Sequence, residues 1–141
     1  DPDIIDRLAK AFEGNDDLKM ATMKVPMKES EYNDPAAVKV VTDDNGYALY
    51  FSRSLIPYPR NDIESMRVYK HVGVYAYRRD FLLQYAALEP TMLEKVEGLE
   101  QLRALENGYK IKVLESDFQG IGIDTPEDLE AINKLFAAKK Q

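Results

Sequence analysis

Asp124 stands between a glycine-spaced approach, Gly120-Ile121-Gly122-Ile123, and a marked helix start, Thr125-Pro126-Glu127-Asp128. Thr125 suits an N-cap, Pro126 the first helical position, and Asp128 the place of a capping-box acid. A carboxylate fixed beside a rigid helix can hold a hard cation such as magnesium. It can equally finish a turn ahead of a surface helix. A second group of polar residues falls on one face of a single alternating run, Tyr69 to Tyr77, where the odd positions are Tyr69, His71, Gly73, Tyr75 and Tyr77. Hydroxyls and an imidazole two residues apart, with a glycine leaving space, suit the wall of a pocket for a hydroxylated ligand. They also suit an amphipathic face with wet tips. His71 is the chain's one histidine, and no serine or cysteine is paired with it in the sequence as a nucleophile would be.

Two further side chains could complete such a site. Leu93, Val96 and Ala104 define the apolar arc of a helix spanning Met92 to Glu106, and Glu100 falls inside that arc, flanked by Glu97 and Gln101. A carboxylate facing inward needs a partner, either an internal arginine or a ligand hydroxyl. Arg103 is too local to be the obvious one. Arg53, in Phe51-Ser52-Arg53, stands where a strand hands over to a loop, a position that suits a guanidinium gripping a carboxylate or phosphate through two hydrogen bonds. Gly120 and Gly122 do not extend to G-x-G-x-x-G, and no G-K-[ST] occurs, so the sequence has no visible phosphate cradle.

The elements that must position these groups follow from periodicity and punctuation. Ile4, Ile5, Leu8 and Phe12 form the stripe of an opening helix capped at Asp1-Pro2 and closed at Gly14-Asn15. Met20–Val25 is a predicted strand. Val38-Lys39-Val40-Val41-Thr42 and Tyr47-Ala48-Leu49-Tyr50-Phe51, joined through Asn45-Gly46, form a predicted hairpin. A long irregular loop with three prolines then runs from Ser52 to Arg67, where Arg60 and Arg67 are expected to be solvated. Beyond the Tyr69–Tyr77 strand come a short helix over Arg79–Ala87, the helix capped by Thr91, a strand over Lys110–Glu115 and a final helix from Pro126 to about Ala138. Strands mixed with helices, and one antiparallel hairpin, indicate α/β or α+β. The 141 residues are one domain's worth of chain, 45% hydrophobic and 31% charged. The absence of cysteine excludes disulfide scaffolds and thiolate metal sites and fits a reducing cytoplasm. A net charge of −6 speaks against nucleic acid as the main partner. No apolar run is long enough to span a membrane, and no export leader is visible. The start at Asp1 suggests an excised piece.

Taken together, the residues resemble a known family, the 3-deoxy-manno-octulosonate cytidylyltransferases, or CMP-Kdo synthetases, of lipopolysaccharide assembly. The resemblance runs through Met20-Ala21-Thr22, Val25-Pro26, Ala37 to Val41, Asn45 to Arg53, Ile56-Pro57-Tyr58, His71 to Arg78, Leu99 to Arg103 and Gly122 to Leu129, in order over essentially the whole chain. It implies the C-terminal part of a nucleotide-diphospho-sugar-transferase-like three-layer α/β fold with a mixed sheet and an antiparallel hairpin, here a single truncated domain over 1–141. The activity it implies is transfer of CMP from CTP to the eight-carbon sugar acid with release of pyrophosphate, using magnesium. Asp124 is implied as a metal ligand and catalytic residue, Arg53 as a catalytic and anion-binding residue, and His71, Tyr75, Glu100 and Gln101 as sugar-acid ligands.

The family's N-terminal half carries the basic, glycine-containing nucleotide loop and a second acidic metal motif, neither of which is found here. The resemblance therefore implies that this chain alone does not catalyse the transfer. It places a dimerisation segment at about 36–68, so a homodimer or self-association through an exposed sheet edge is expected. A non-catalytic dimerisation module, or an enzyme for a related sugar acid such as an acylneuraminate, are the alternatives.

Overall fold

The computed structural model describes residues 3–61, 66–117 and 126–138. Its elements run α1 (Asp3–Lys10), β1 (Met20–Pro26), β2 (Lys39–Thr42), β3 (Ala48–Ser52), β4 (Tyr69–Tyr77), α2 (Arg79–Ala86), α3 (Met92–Glu97), α4 (Leu102–Glu106), β5 (Ile111–Glu115) and α5 (Pro126–Ala138). The strands form one mixed sheet in the order β3-β2-β4-β1-β5. β1 runs antiparallel to β4 and parallel to β5. The α/β class expected from the sequence is the one observed. Among the described residues no helix is long and apolar enough to cross a membrane.

Strand alternation sorts the apolar residues to two faces. Ala21, Met23, Val72, Val74, Ala76 and Leu114 lie on one face beneath Ile4 and Leu8 of α1. The larger core lies on the other, where Met20, Val40, Phe51, Ile111 and Val113 meet Phe81 and Tyr85 of α2 and Leu102 and Ala104 of α4. The helices therefore sandwich the sheet, giving three layers. Ile5, expected in the α1 stripe, is exposed instead. With Ile4 and Leu8 aimed at the sheet, Ile5 is rotated about 100° away on an eight-residue helix. The cap expected at Asp1-Pro2 lies outside the described residues.

The hairpin forms, but with a longer turn than a two-residue Asn-Gly loop. Gly46 takes the positive φ of 75° while Asn45 does not. Asp43 Oδ1 accepts the amides of Asn45 at 2.9 Å and Tyr47 at 2.8 Å, and the register shifts between Val41 and Thr42. This geometry belongs to the bulged hairpin loops. The hairpin pairs with β4 at Lys39–Lys70, and its turn reaches β5, where the Val113 amide donates to Gly46 O at 2.8 Å. It thus bridges the sheet on the side that carries His71 and Tyr75.

One expected element is two. The helix over Met92–Glu106 breaks at Gly98, which adopts the left-handed conformation at φ 63°. The amides of Gly98 and Leu99 both return to Glu94 O, at 2.8 and 3.2 Å, closing α3 as glycine-terminated helices close. α4 then starts afresh after Gln101. The start of α5 at Pro126 agrees with the sequence, while Thr125 lies outside the described residues.

Candidate functional site

β4 supplies the wall. Rings pack along its odd face from Phe51 to His71, with centroids 5.0 Å apart, on to Tyr75 at 5.4 Å and from Tyr75 to Tyr77 at 6.0 Å. A methyl group placed on Gly73 would meet no atom within 4 Å, because Gly73 is exposed in the irregular part of β4, while the His71 and Tyr75 rings pack against each other and leave no gap between them. The face expected from simple alternation survives an irregularity in register between Thr22 and Met23, because β4 inserts two residues there and parity is preserved.

Hydrogen bonding fixes the state of the imidazole. Thr22 Oγ1 lies 2.7 Å from Val74 O, 3.2 Å from Val72 O and 2.9 Å from His71 Nε2. Carbonyls only accept, and the hydroxyl has one proton, which must go to one of them. His71 Nε2 is therefore the donor to Thr22, and Nδ1 carries a lone pair. Burial pushes the imidazole down to about 4, so at neutral pH it is an uncharged acceptor at Nδ1. Burial, then the charges of Tyr77, Tyr85 and Glu100, pushes the Tyr75 hydroxyl up and keeps it a neutral phenol.

The Gly98 break changes what Glu100 is. In two helices the i+4 relation between Val96, Glu100 and Ala104 does not exist. Val96 is 75% exposed and Glu100 is exposed as well, so the expectation of an interior carboxylate is corrected. Gln101 is the buried member of the pair, and Leu99 is buried beside it. Tyr85 Oη donates to Glu100 O at 2.8 Å, and the Glu100 charge acts on the Tyr75, Tyr77 and Tyr85 hydroxyls. Glu100 thus stands at the wet rim of the tyrosine wall. Among the described residues no ion pair involves it.

Arg103, nine residues from Glu94, takes that carboxylate in a fork, Nε to Oε2 at 2.8 Å and Nη2 to Oε1 at 2.5 Å. Both side chains are largely buried, at 13% and 12% exposure. The fork staples α3 to α4 across the break and leaves Glu100 to other partners. Sequence reasoning missed this pair because it assumed one continuous helix. Gly98 was the available signal.

Arg53 is held tightly. Its Nε donates to Glu97 O at 2.7 Å, Nη1 to Pro35 O at 2.8 Å and Nη2 to Gly98 O at 3.2 Å. Three of its five N–H groups are thus engaged by backbone carbonyls. Lys39 has no exposed surface, and its ammonium donates to Asp34 O at 2.6 Å and Arg53 O at 2.9 Å. Burial pushes its pKa down, opposed by the charges of Asp34 and Glu31. A lysine inside a hairpin strand gives no sequence signal of burial. Arg60 and Arg67 are exposed, as expected.

Tyr75 therefore has the His71 ring on one side and feels the charge of Glu100 on the other. Gln101 is buried in the turn next to Glu100, and Arg53 is bonded two residues upstream of Glu100. Asp124 lies outside the described residues. Among the described residues no group of three His, Asp or Glu side chains could hold a metal ion. They do not by themselves fit a magnesium centre.

A five-stranded mixed sheet covered on both faces, with polar residues grouped along one central strand, defines the class as a nucleotide-sugar-transferase-like α/β fold. The cytidylyltransferase family profile matches residues 1–111, and the chain belongs to that family. It is 51% identical over 131 residues to the 3-deoxy-manno-octulosonate cytidylyltransferase of Fusobacterium nucleatum, covering 92% of this chain and 53% of that protein. With the enzyme of the same name from Trichlorobacter lovleyi it shares 49% identity over 152 residues, covering 100% of this chain and 59% of the relative. A solved structure of a CMP:2-keto-3-deoxy-manno-octonic acid synthetase complexed with CTP superposes with a TM-score of 0.92 at 43% identity, over 98% of this chain and 57% of the other. The chain spans about half the length of the curated relatives it matches.

Proposed function

We propose that this chain is the sugar-acid-binding portion of a cytidylyltransferase that in its whole form transfers CMP from CTP to 3-deoxy-manno-octulosonate and releases pyrophosphate, in the cytoplasm, for lipopolysaccharide synthesis. The observation that carries the reading is the exposed Glu100 at the rim of the His71–Tyr75 wall, which makes no ion pair among the described residues. A carboxylate and a neutral imidazole acceptor close to phenols form a set suited to the several hydroxyls of a sugar acid. In this proposal Glu100 and His71 Nδ1 accept sugar hydroxyls, Tyr75 and Gln101 add neutral donors, and Arg53 answers the sugar carboxylate with the two N–H groups its carbonyl contacts leave over. These groups bind and orient the sugar so that its attacking hydroxyl is presented to the nucleotide.

Magnesium belongs to the proposal for the whole enzyme. Asp124 would be one of its ligands, and the metal when bound would neutralise phosphate charge. No step is assigned to it among the residues described. One carboxylate and no phosphate cradle support the further proposal that the chain alone is inactive. With CTP, magnesium and the sugar acid, pyrophosphate release at the uncatalysed rate is expected, and turnover would overturn this. Isothermal titration with 3-deoxy-manno-octulosonate should give saturable binding lost in Glu100→Ala. Stronger binding of N-acetylneuraminate would favour the acylneuraminate reading. A dimerisation segment over 36–68 is also proposed. Its exposed Leu49 and Tyr58 support it, and sedimentation at several concentrations tests it against the reading of a purely non-catalytic module.

A further inference from the structure

Glu97 ends α3 at the point where the chain must turn, and its carboxylate reaches another element. It accepts the Ser52 hydroxyl at 2.7 Å and the Arg53 amide at 2.9 Å, both at the end of β3. The Tyr50 hydroxyl bears on the same carboxylate from within that strand. Arg53 answers in the opposite direction, donating to the Glu97 and Gly98 carbonyls. The side chain of each residue thus binds the backbone of the other. Lys39 closes the arrangement from beneath by holding Arg53 O.

What this clasp holds is the one left-handed residue between two very short helices. α3 has six residues and α4 five, far fewer than a helix needs to persist alone. The direction of Leu99, Glu100 and Gln101 therefore depends on tertiary anchors. Those anchors are the buried Leu99, the Glu94–Arg103 fork on one side and the Glu97–Arg53 clasp on the other.

The geometry points to Glu97 as a positioning residue that, through its reciprocal clasp with Arg53, fixes the Gly98–Gln101 turn so that Glu100 stands at the rim of the His71–Tyr75 wall. Its functional consequence rests on the sugar-acid reading of that wall, whereas the clasp itself does not. A glutamine keeps the shape of Glu97 but loses the charge and one acceptor oxygen, so the Tyr50, Ser52 and Arg53 donors compete for the oxygen that remains.

The test is Glu97→Gln in the full 141-residue chain, read by amide hydrogen exchange and by titration with 3-deoxy-manno-octulosonate. Exchange at Leu99 and Leu102 should accelerate about tenfold or more, while that at Ala21 and Ala76, paired between β1 and β4, stays unchanged. The sugar-acid Kd should rise about tenfold, as loss of one charge-assisted hydrogen bond implies. Ser52→Ala removes a single donor and should move both readouts in the same direction by about threefold. It carries the test if Glu97→Gln does not fold. Unchanged exchange at Leu99 and Leu102 overturns the inference, and so does faster exchange there with undiminished sugar affinity. If the parent chain takes up no sugar acid at all, the reading of the site falls, and the exchange rates alone decide the clasp.

Discussion

Acid should destabilise this chain in part through His71, whose share can be isolated. His71 is the only histidine, so its titration is read from a single imidazole signal. In the unfolded chain it protonates near 6.5, whereas burial holds it at about 4 in the fold. Above pH 6.5 both states are neutral and the residue contributes nothing to the pH dependence. Between 6.5 and 4 the unfolded chain takes up a proton that the native chain refuses, so stability falls as pH falls. Below 4 both are charged and this contribution levels off. The difference between 6.5 and about 4, at about 1.4 kcal/mol for each pH unit, amounts to about 3 kcal/mol. Urea unfolding at pH 7 and pH 4.5 should show most of this loss, about 2 kcal/mol, in the parent chain, on top of a carboxylate contribution shared with His71→Gln, in which the excess vanishes. The folded chain should also show a nitrogen spectrum with the proton on Nε2, since Thr22 has no proton left to give. A histidine titrating near 6.5 in the folded protein, or a proton on Nδ1, would refute the reasoning.

Removing one partner of the Glu94–Arg103 fork by Arg103→Ala should cost about 3 kcal/mol or more in chemical unfolding, because the largely buried Glu94 is left without its counter-charge. Replacing both residues with leucine should cost less than that single change, as a double-mutant cycle will show. Gly98→Ala should destabilise by about 1 kcal/mol. An added Cβ would lie 3.8 Å from Arg53 Nη2, an ordinary contact, so the cost comes from the left-handed backbone and not from a clash. Lys39→Met should destabilise measurably in thermal melts, because it leaves Asp34 O and Arg53 O without their buried donor.

Local pattern was enough for much of this protein. Alternation over Tyr69–Tyr77 put His71, Tyr75 and Tyr77 on one face, and the β-rich runs around Asn45-Gly46 made a hairpin, because side-chain direction along a strand has a period of two whatever lies around it. Thr125-Pro126 marked where α5 begins, since the proline's fixed φ suits a first helical turn. The order of β4 between β2 and β1, and the parallel pairing of β5, were not legible, because pairing brings together residues distant in sequence. The apolar arc drawn through Val96, Glu100 and Ala104 failed for a related reason. Apolar spacing does not reveal that Gly98 will leave the helix, and leaving it turns Glu100 outward and gives Arg103 to Glu94. The residue types were present in the letters, but which carboxylate meets which arginine depended on a backbone turn stabilised by contacts from β3. Charged partners are chosen by distance in space, and only the folded chain sets that distance.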